Sequence, residues 1–266
     1  MSDVPDPGHV AILGGTTEAR QLAAVLAACP GLRVTSLLAG RVSTSGGYAG
    51  TVRVGGFGGP AGLARWLREH DVDALVDATH PFADVITGNA ARASAEASVP
   101  LVVVRRHGWA AGPEDRWHVV DCLEDAAAAL PGVGARIFLT TGRQGMAAFA
   151  ALDVPWFLVR AINTPAPPLP RHAKVLLARG PYTVEGETAL LHAYRIDAVV
   201  TKDSGGRATA AKLVAARNLG LPVVVIRRPP VPDGLTVVPD ASAVMEWLSR
   251  RPGLLSLMSG AGDTCP

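Results

Sequence analysis

Cysteine is scarce in this chain. Cys29, Cys122 and Cys265 share no C-x-x-C spacing, which argues against a disulfide framework and against a zinc site. Reduced thiols, as in a cytoplasmic protein, are the expectation. Aromatic residues make up only 5% of the chain, so its apolar mass is Ala, Val and Leu, the stock of parallel strands and their covering helices. An excess of one charge is also missing. Lys and Arg total 25 against 23 Asp and Glu, a formal +2, so no nucleic-acid coat is expected. No apolar run reaches the roughly 18 residues of a membrane helix. The first eight residues carry Asp3 and Asp6 and no apolar block, so no signal peptide is expected and the protein reads as soluble and cytoplasmic.

What is present is a chain of 266 residues, 48% hydrophobic and 18% charged. That excludes disorder and fits two domains of about 100–200 residues each. The pattern is an apolar run, a glycine-rich turn and an Ala-rich helix, repeated. Strands are expected at 9–13, 33–38, 51–54, 74–77, 101–104 and 117–120, with helices at 18–28, 61–70 and 83–98. Such alternation argues for a parallel α/β sheet. The pattern then restarts, with strands at 136–139, 156–159, 174–177, 198–201, 223–226 and 236–238 and an Ala-rich helix after Arg143.

The second half repeats the first. Asp73-Ala-Leu-Val is matched by Asp197-Ala-Val-Val, and Pro100-Leu-Val-Val-Val-Arg-Arg106 by Pro222-Val-Val-Val-Ile-Arg-Arg228. The expectation is therefore an α/β protein of two Rossmann-like, doubly wound parallel-sheet domains with a cleft between them. Their spans would be 1–132 and 133–250, followed by a flexible tail at 251–266. One long mixed sheet is the alternative. Residues 163–172 are too proline-rich for a helix or central strand and read as a surface loop.

Candidate chemistry sits at strand ends, where open α/β sheets bind ligands. Gly14, Gly15, Thr16 and Thr17 lie between the first strand and first helix. Backbone N–H groups and the helix dipole there favour an anion such as a pyrophosphate; a plain tight turn is the alternative. The turn is not G-x-G-x-x-G, because Thr16 and Ala19 hold the later glycine positions. After the second strand there is no acid for ribose hydroxyls but an arginine, Arg41, with Ser43 and Thr44. A bidentate arginine suits a 2′-phosphate, which favours NADP over NAD, unless Arg41 is solvated or serves another anion.

Tyr48, Tyr182 and Tyr194 have no Lys four residues on, against a short-chain dehydrogenase. The chain also lacks a G-x-S-x-G elbow, a P-loop lysine motif and H-E-x-x-H. Basic residues recur at strand ends: Arg41, Arg105, Arg106, Arg143, Arg160, Arg179, Lys202, Arg227 and Arg228. Together they suit a polyanionic ligand held by several carboxylate or phosphate contacts; ordinary pairing with Asp and Glu is the alternative. Thr79-His80-Pro81 follows the fourth strand, where a nicotinamide commonly lies. His80 is read as a proton donor, a carboxylate-orienting group or a helix cap. Thr201-Lys202-Asp203-Ser204-Gly205-Gly206 holds the matching place in the second half. Lys212, two helical turns on, faces the same cleft or solvent.

Gly14-Gly-Thr-Thr-Glu-Ala-Arg20, Ala39-Gly-Arg41, Asp77-Ala-Thr-His-Pro-Phe-Ala83, Thr141-Gly-Arg143, Arg179-Gly-Pro181 and Thr201-Lys-Asp-Ser-Gly-Gly206 together resemble the precorrin-6A reductase family of cobalamin biosynthesis, in order and spacing from about His9 to Trp247. The resemblance implies NADPH-dependent reduction of one double bond of the precorrin-6A macrocycle, with hydride to one ring carbon and a proton to its neighbour. It also implies that Gly14, Gly15, Thr16 and Thr17 face the pyrophosphate and that Thr79 and His80 lie near the nicotinamide. Arg41, Ser43 and Thr44 would take the 2′-phosphate, though Arg41 equally suits substrate. Arg143, Arg160, Lys202, Ser204, Lys212 and Arg227 would hold the carboxylates of a tetrapyrrole lying between the domains, with loop 163–172 closing over it. His80, Asp203 and water stand as proton donors. No metal, nucleic acid or membrane is implied, and hand-over of product to the next pathway enzyme is. Metal-free or cobalt-bound substrate and oligomeric state stay open. Readings from other classes are a non-catalytic NADP-sensing regulator and a two-domain nucleotide-sugar transferase.

Overall fold

The computed structural model describes residues 7–39, 47–143, 145–251 and 254. In chain order the first half runs β1 (Gly8–Leu13), α1 (Thr17–Ala27), β2 (Leu32–Leu38), β3 (Thr51–Val54), α2 (Pro60–Glu69), β4 (Ala74–Asp77), α3 (Asp84–Ala97), β5 (Leu101–Val104), β6 (Arg116–Val120) and α4 (Leu123–Ala129). The second runs β7 (Arg136–Leu139), α5 (Ala147–Ala150), β8 (Trp156–Ala161), β9 (Ala173–Leu177), α6 (Val184–Ala193), β10 (Ala198–Lys202), α7 (Ala211–Asn218), β11 (Pro222–Ile226), β12 (Thr236–Val238) and α8 (Ala241–Ser249). The two halves carry the same elements in the same order, as the internal repeat requires. The expected Ala-rich helix after Arg143 is only the four-residue α5. No described helix is long and apolar enough to cross a membrane.

β1 shows why the strands are continuous apolar runs. Val10 and Ile12 pack with Leu22, Ala23 and Leu26 of α1 and Val244 and Leu248 of α8. Ala11 and Leu13 pack on the other face with Leu63 and Leu67 of α2 and Ala90 and Ala93 of α3. A strand covered on both faces has no side to leave polar. Phe138, Val199 and Val225 join Leu191 of α6 and Leu213 of α7 in the same manner.

Every strand pairing is parallel, in two six-stranded sheets of order β12-β5-β4-β1-β2-β3 and β6-β11-β10-β7-β8-β9. The division of the chain differs from the expected 132/133 boundary. One unit comprises residues up to Arg106 together with those from Pro230 on; the other is His107–Pro229. The sixth strand of each half has joined the fifth strand of the other. β12 extends β5, with Arg105 N–H donating to the Val238 carbonyl at 2.7 Å. β6 extends β11, with Arg227 N–H donating to the Val120 carbonyl at 2.8 Å. Because β5 and β11 are near copies, spacing along the chain cannot distinguish a sixth strand that stays from one that crosses.

The crossing segment after Arg106 is held by two aspartates. Asp203 accepts from the Trp109 N–H at 2.9 Å and from Arg228. Asp115 accepts from Arg217 at 3.0 and 2.7 Å and from the Gly112 N–H at 2.7 Å. The Arg217 guanidinium holds the Asp115 carboxyl below its usual range. Gly205 is required here: its φ is +65° and an added Cβ would lie 2.0 Å from the His107 carbonyl oxygen. Loop 163–172 carries neither helix nor strand, as expected. Of the expected C-terminal tail, Leu254 packs into the first core, and the remainder from Pro252 on lies outside the described residues.

At the other end of β1, His9 is buried. Its Nδ1 lies 2.8 Å from the His70 carbonyl, so it carries the proton, and its Nε2 accepts from the Thr35 hydroxyl at 2.8 Å. Burial lowers its pKa below the ordinary 6.5. As pH falls through 6.5 the unfolded chain takes a proton that the folded ring refuses. Stability is therefore present above that pH and lost below it, by at most about 1.4 kcal/mol per pH unit from this group. Denaturant midpoints measured between pH 7.5 and 5.5 are expected to fall less steeply for His9→Gln than for the wild type; parallel slopes would remove His9 from the account.

Candidate functional site

In the first unit the sheet grows outward from β1 in one direction through β2 and β3 and in the other through β4 and β5. The crevice outside the carboxyl ends of β1 and β4 is therefore its switch point. Thr16, which follows the glycine turn, caps α1: its hydroxyl accepts from the Ala19 N–H at 3.1 Å and donates to the Ala78 carbonyl at 2.8 Å. One side chain thus ties the turn after β1 to the residue after β4. Gly15 has φ +120°, and a Cβ there would meet nothing within 4 Å. A Cβ on Gly14 would press Leu38 at 3.0 Å and the Tyr48 hydroxyl at 3.2 Å.

A small cleft opens here, lined by Thr16, Glu18, Ala78, Thr79, Pro81, Val104 and Arg106. The structure thus brings together Thr16 and Thr79 from the sequence-derived set. Buried Asp77 orders its floor. Its carboxylate accepts from the Thr79 N–H and hydroxyl at 3.0 and 2.6 Å and from the Thr87 hydroxyl at 2.6 Å. Three such bonds to a charged acceptor contribute about 1.5–3 kcal/mol each. His80 is exposed between two lining residues, and its Nδ1 accepts from the Phe82 N–H at 3.3 Å. Arg41, Ser43 and Thr44 lie outside the described residues. Arg106 is one of the basic strand ends that the sequence marks for a polyanionic ligand. Glu18 and Asp77 were not assigned site roles from sequence; an acid in the first turn of a helix was the available signal for Glu18.

The second unit repeats this arrangement at β7 and β10, which are neighbours. Thr141, Gly142 and Arg143 leave β7, and Lys202 ends β10. The Thr141 hydroxyl is buried with no hydrogen-bond partner among the described residues, and Gly142 has φ +81° with open space beside it. Arg143 is half-buried and makes no ion pair among the described residues. Ser204 is buried, its hydroxyl 3.4 Å from that of Thr209.

Other expected ligand contacts have protein partners instead. Arg160 is 6% exposed and forms a bidentate pair with Glu187 at 2.5 and 2.9 Å, with its guanidinium over the Tyr182 ring. Arg227 pairs with Asp121 on the surface. Asp203 accepts the Trp109 N–H and two Arg228 N–H bonds. Lys212 is buried, donating to the Thr209 carbonyl at 2.7 Å and lying 4.8 Å from the Trp109 ring centre. It is closed to solvent. The described residues hold no group of three or more His, Cys, Asp or Glu placed to bind a metal.

A family model described as "Precorrin-6x reductase CbiJ/CobK" matches residues 9–249. The chain is 54% identical over 246 residues to a precorrin-6A reductase of Rhodococcus erythropolis, covering 91% of this chain and 99% of the relative. It is 46% identical over 245 residues to a precorrin-6A reductase of Mycobacterium tuberculosis, covering 92% and 98%. A solved structure of a CobK precorrin-6A reductase matches with a TM-score of 0.85 at 41% identity, covering 92% of this chain and 97% of that one.

Burial weighs on the Lys212 ammonium. Desolvation, with nearby Arg160 adding to it, lowers its pKa from 10.5 to about 7. Between about pH 7 and 10.5 the unfolded chain binds a proton that the folded chain has released. The cost of burial is thus largest at and below pH 7 and fades as pH rises. Lys212→Met is expected to raise the melting temperature at pH 7 by several degrees and by less at pH 9.5. A gain that is equal at both pH values would show that Lys212 is charged throughout.

Proposed function

Since the chain belongs to the precorrin-6x reductase family, oxidoreductases of cobalamin biosynthesis, we propose that it uses NADPH to reduce one double bond of metal-free precorrin-6A. The observation that carries this reading is the cleft at the carboxyl ends of β1, β4 and β5. Its residues fit a dinucleotide. The first N–H groups of α1 face no intrahelical acceptor, the dipole there favours phosphate, and Gly15 leaves open space beside its backbone. Thr16, Thr17 and Thr79 are the residues that would hold the cofactor, Thr79 already set in place by Asp77. When bound, the reduced nicotinamide supplies a hydride to the macrocycle. The names of the two bacterial relatives favour the metal-free substrate.

The second ring carbon needs a proton. On this reading His80 gives it, supported by its exposure beside Thr79 and Pro81. With Nδ1 accepting from Phe82, its neutral ring carries the proton on Nε2. The macrocycle's carboxylates fall to Arg143 and Lys202, at the ends of adjacent strands. Most of the catalytic effect would come from holding donor and acceptor in reach.

The test is loss of reduced-nicotinamide absorbance when precorrin-6A is added. The wild type is expected to oxidise NADPH only with the macrocycle present and to yield a product heavier by two hydrogens. Arg143→Ala is expected to raise KM for the macrocycle about tenfold or more, the loss of one charge-assisted contact, while the NADPH Kd stays unchanged. No oxidation, or equal loss of both affinities, would overturn the assignment.

A further inference from the structure

The glycine turn does not present its own first N–H groups to a ligand. Gly14 donates to the Leu37 carbonyl at 3.0 Å and Gly15 to the Tyr48 hydroxyl at 2.9 Å. What stands in the cleft at the start of α1 is a carboxylate. Glu18 lies in the first turn of that helix and lines the cleft. It occupies the place where the helix dipole stabilises an anion. Facing it, Arg106 follows β5, lines the same cleft and donates to Glu18 Oε2 at 2.8 Å. The two side chains are 20% and 32% exposed. They are in reach of a ligand, and water weakens the pair between them.

We propose that Arg106 is the phosphate-binding residue of this cleft and that Glu18 is a stand-in anion which holds it in position until a diphosphate displaces the carboxylate. The proposal rests on the reading of the cleft as the NADPH site and deepens it. A diphosphate offers Arg106 a more highly charged, bidentate partner than a single half-exposed carboxylate. Glu18 then acts in two directions. It keeps the guanidinium extended into the cleft, and it competes with the ligand for that guanidinium and for the helix terminus. Arg106 and Glu18 are thus the pair that sets cofactor affinity.

The test is titration of the wild type, Arg106→Gln, Arg106→Lys and Glu18→Gln with NADPH and separately with inorganic pyrophosphate, with melting temperatures as the check on folding. Arg106→Gln is expected to weaken both ligands about tenfold or more, and Arg106→Lys to recover part of that loss. Glu18→Gln is expected to tighten both by a few-fold, because the competing charge is gone. Wild-type binding of NADPH with Arg106→Gln within twofold of it, or weaker binding by Glu18→Gln, would overturn the proposal. Should the wild type bind pyrophosphate with this dependence but ignore NADPH, the cofactor reading falls and Arg106 stands as the phosphate site. Binding of neither ligand overturns both.

Discussion

Parallel pairing is the constraint from which the rest follows. Every strand in both sheets runs the same way as its neighbours, so all carboxyl ends of a sheet lie along one edge. The inner strands are buried by helices on both faces, which leaves their ends as the place where backbone and polar side chains meet a ligand. Thr16, Thr79, Glu18 and Arg106 come from far apart in the chain, yet all belong to that edge in the first unit. The opposite edge holds His9, a buried neutral imidazole with both ring nitrogens engaged. His9 and the cleft residues are thus separated by the length of β1.

The exchange of sixth strands adds a second constraint. β6 and β12 each complete a sheet whose other strands lie elsewhere in the chain, so neither sequence half can finish its own sheet. The chain must cross between units at both 106–107 and 229–230. The first crossing is fixed to the second unit by Asp203 and Asp115. Asp203 belongs to the loop that the repeat places opposite Thr79-His80-Pro81. Similar positions have therefore taken different work: in one unit the loop lines a cleft, and in the other it anchors a linker. Gly108 and Gly205 follow from that anchoring, because each approaches Asp203 or the His107 carbonyl more closely than a Cβ allows.

Most of the fold was legible because its signals are local. Apolar runs bounded by glycine and aspartate located the strands, and the repeat in β4 and β5 against β10 and β11 identified the duplication. The domain boundary was not legible. Choosing between β5 and β11 as the partner of β12 is a long-range decision between near-identical surfaces, and no local propensity encodes it. The site was legible where backbone conformation dictates residue type, as at Gly15 and at the Thr16 cap. It was least legible for charge. Sequence shows that an arginine follows a strand but not which acid it meets, and Arg160, Arg227 and Arg228 all meet acids. The α5 helix was overread because four alanines promise helix while the contacts around them set its length.

Two of the arginine–carboxylate pairs show how one chemistry serves two ends. Arg160 and Glu187 are sealed from water, and removing either partner would strand a buried charge at a cost of about 3–5 kcal/mol. Tyr182 over the guanidinium closes the remaining face. Opening that pair for a ligand would cost far more than opening a hydrated one. Arg106 and Glu18 join the same two chemical groups in a cleft open to water, where such a pair contributes about 0–1 kcal/mol. A pair that weak is exchanged readily for a ligand of greater charge. A near-neutral chain can therefore serve a polyanionic ligand without a net positive surface, provided that the cations facing the ligand are the ones whose protein partners are hydrated.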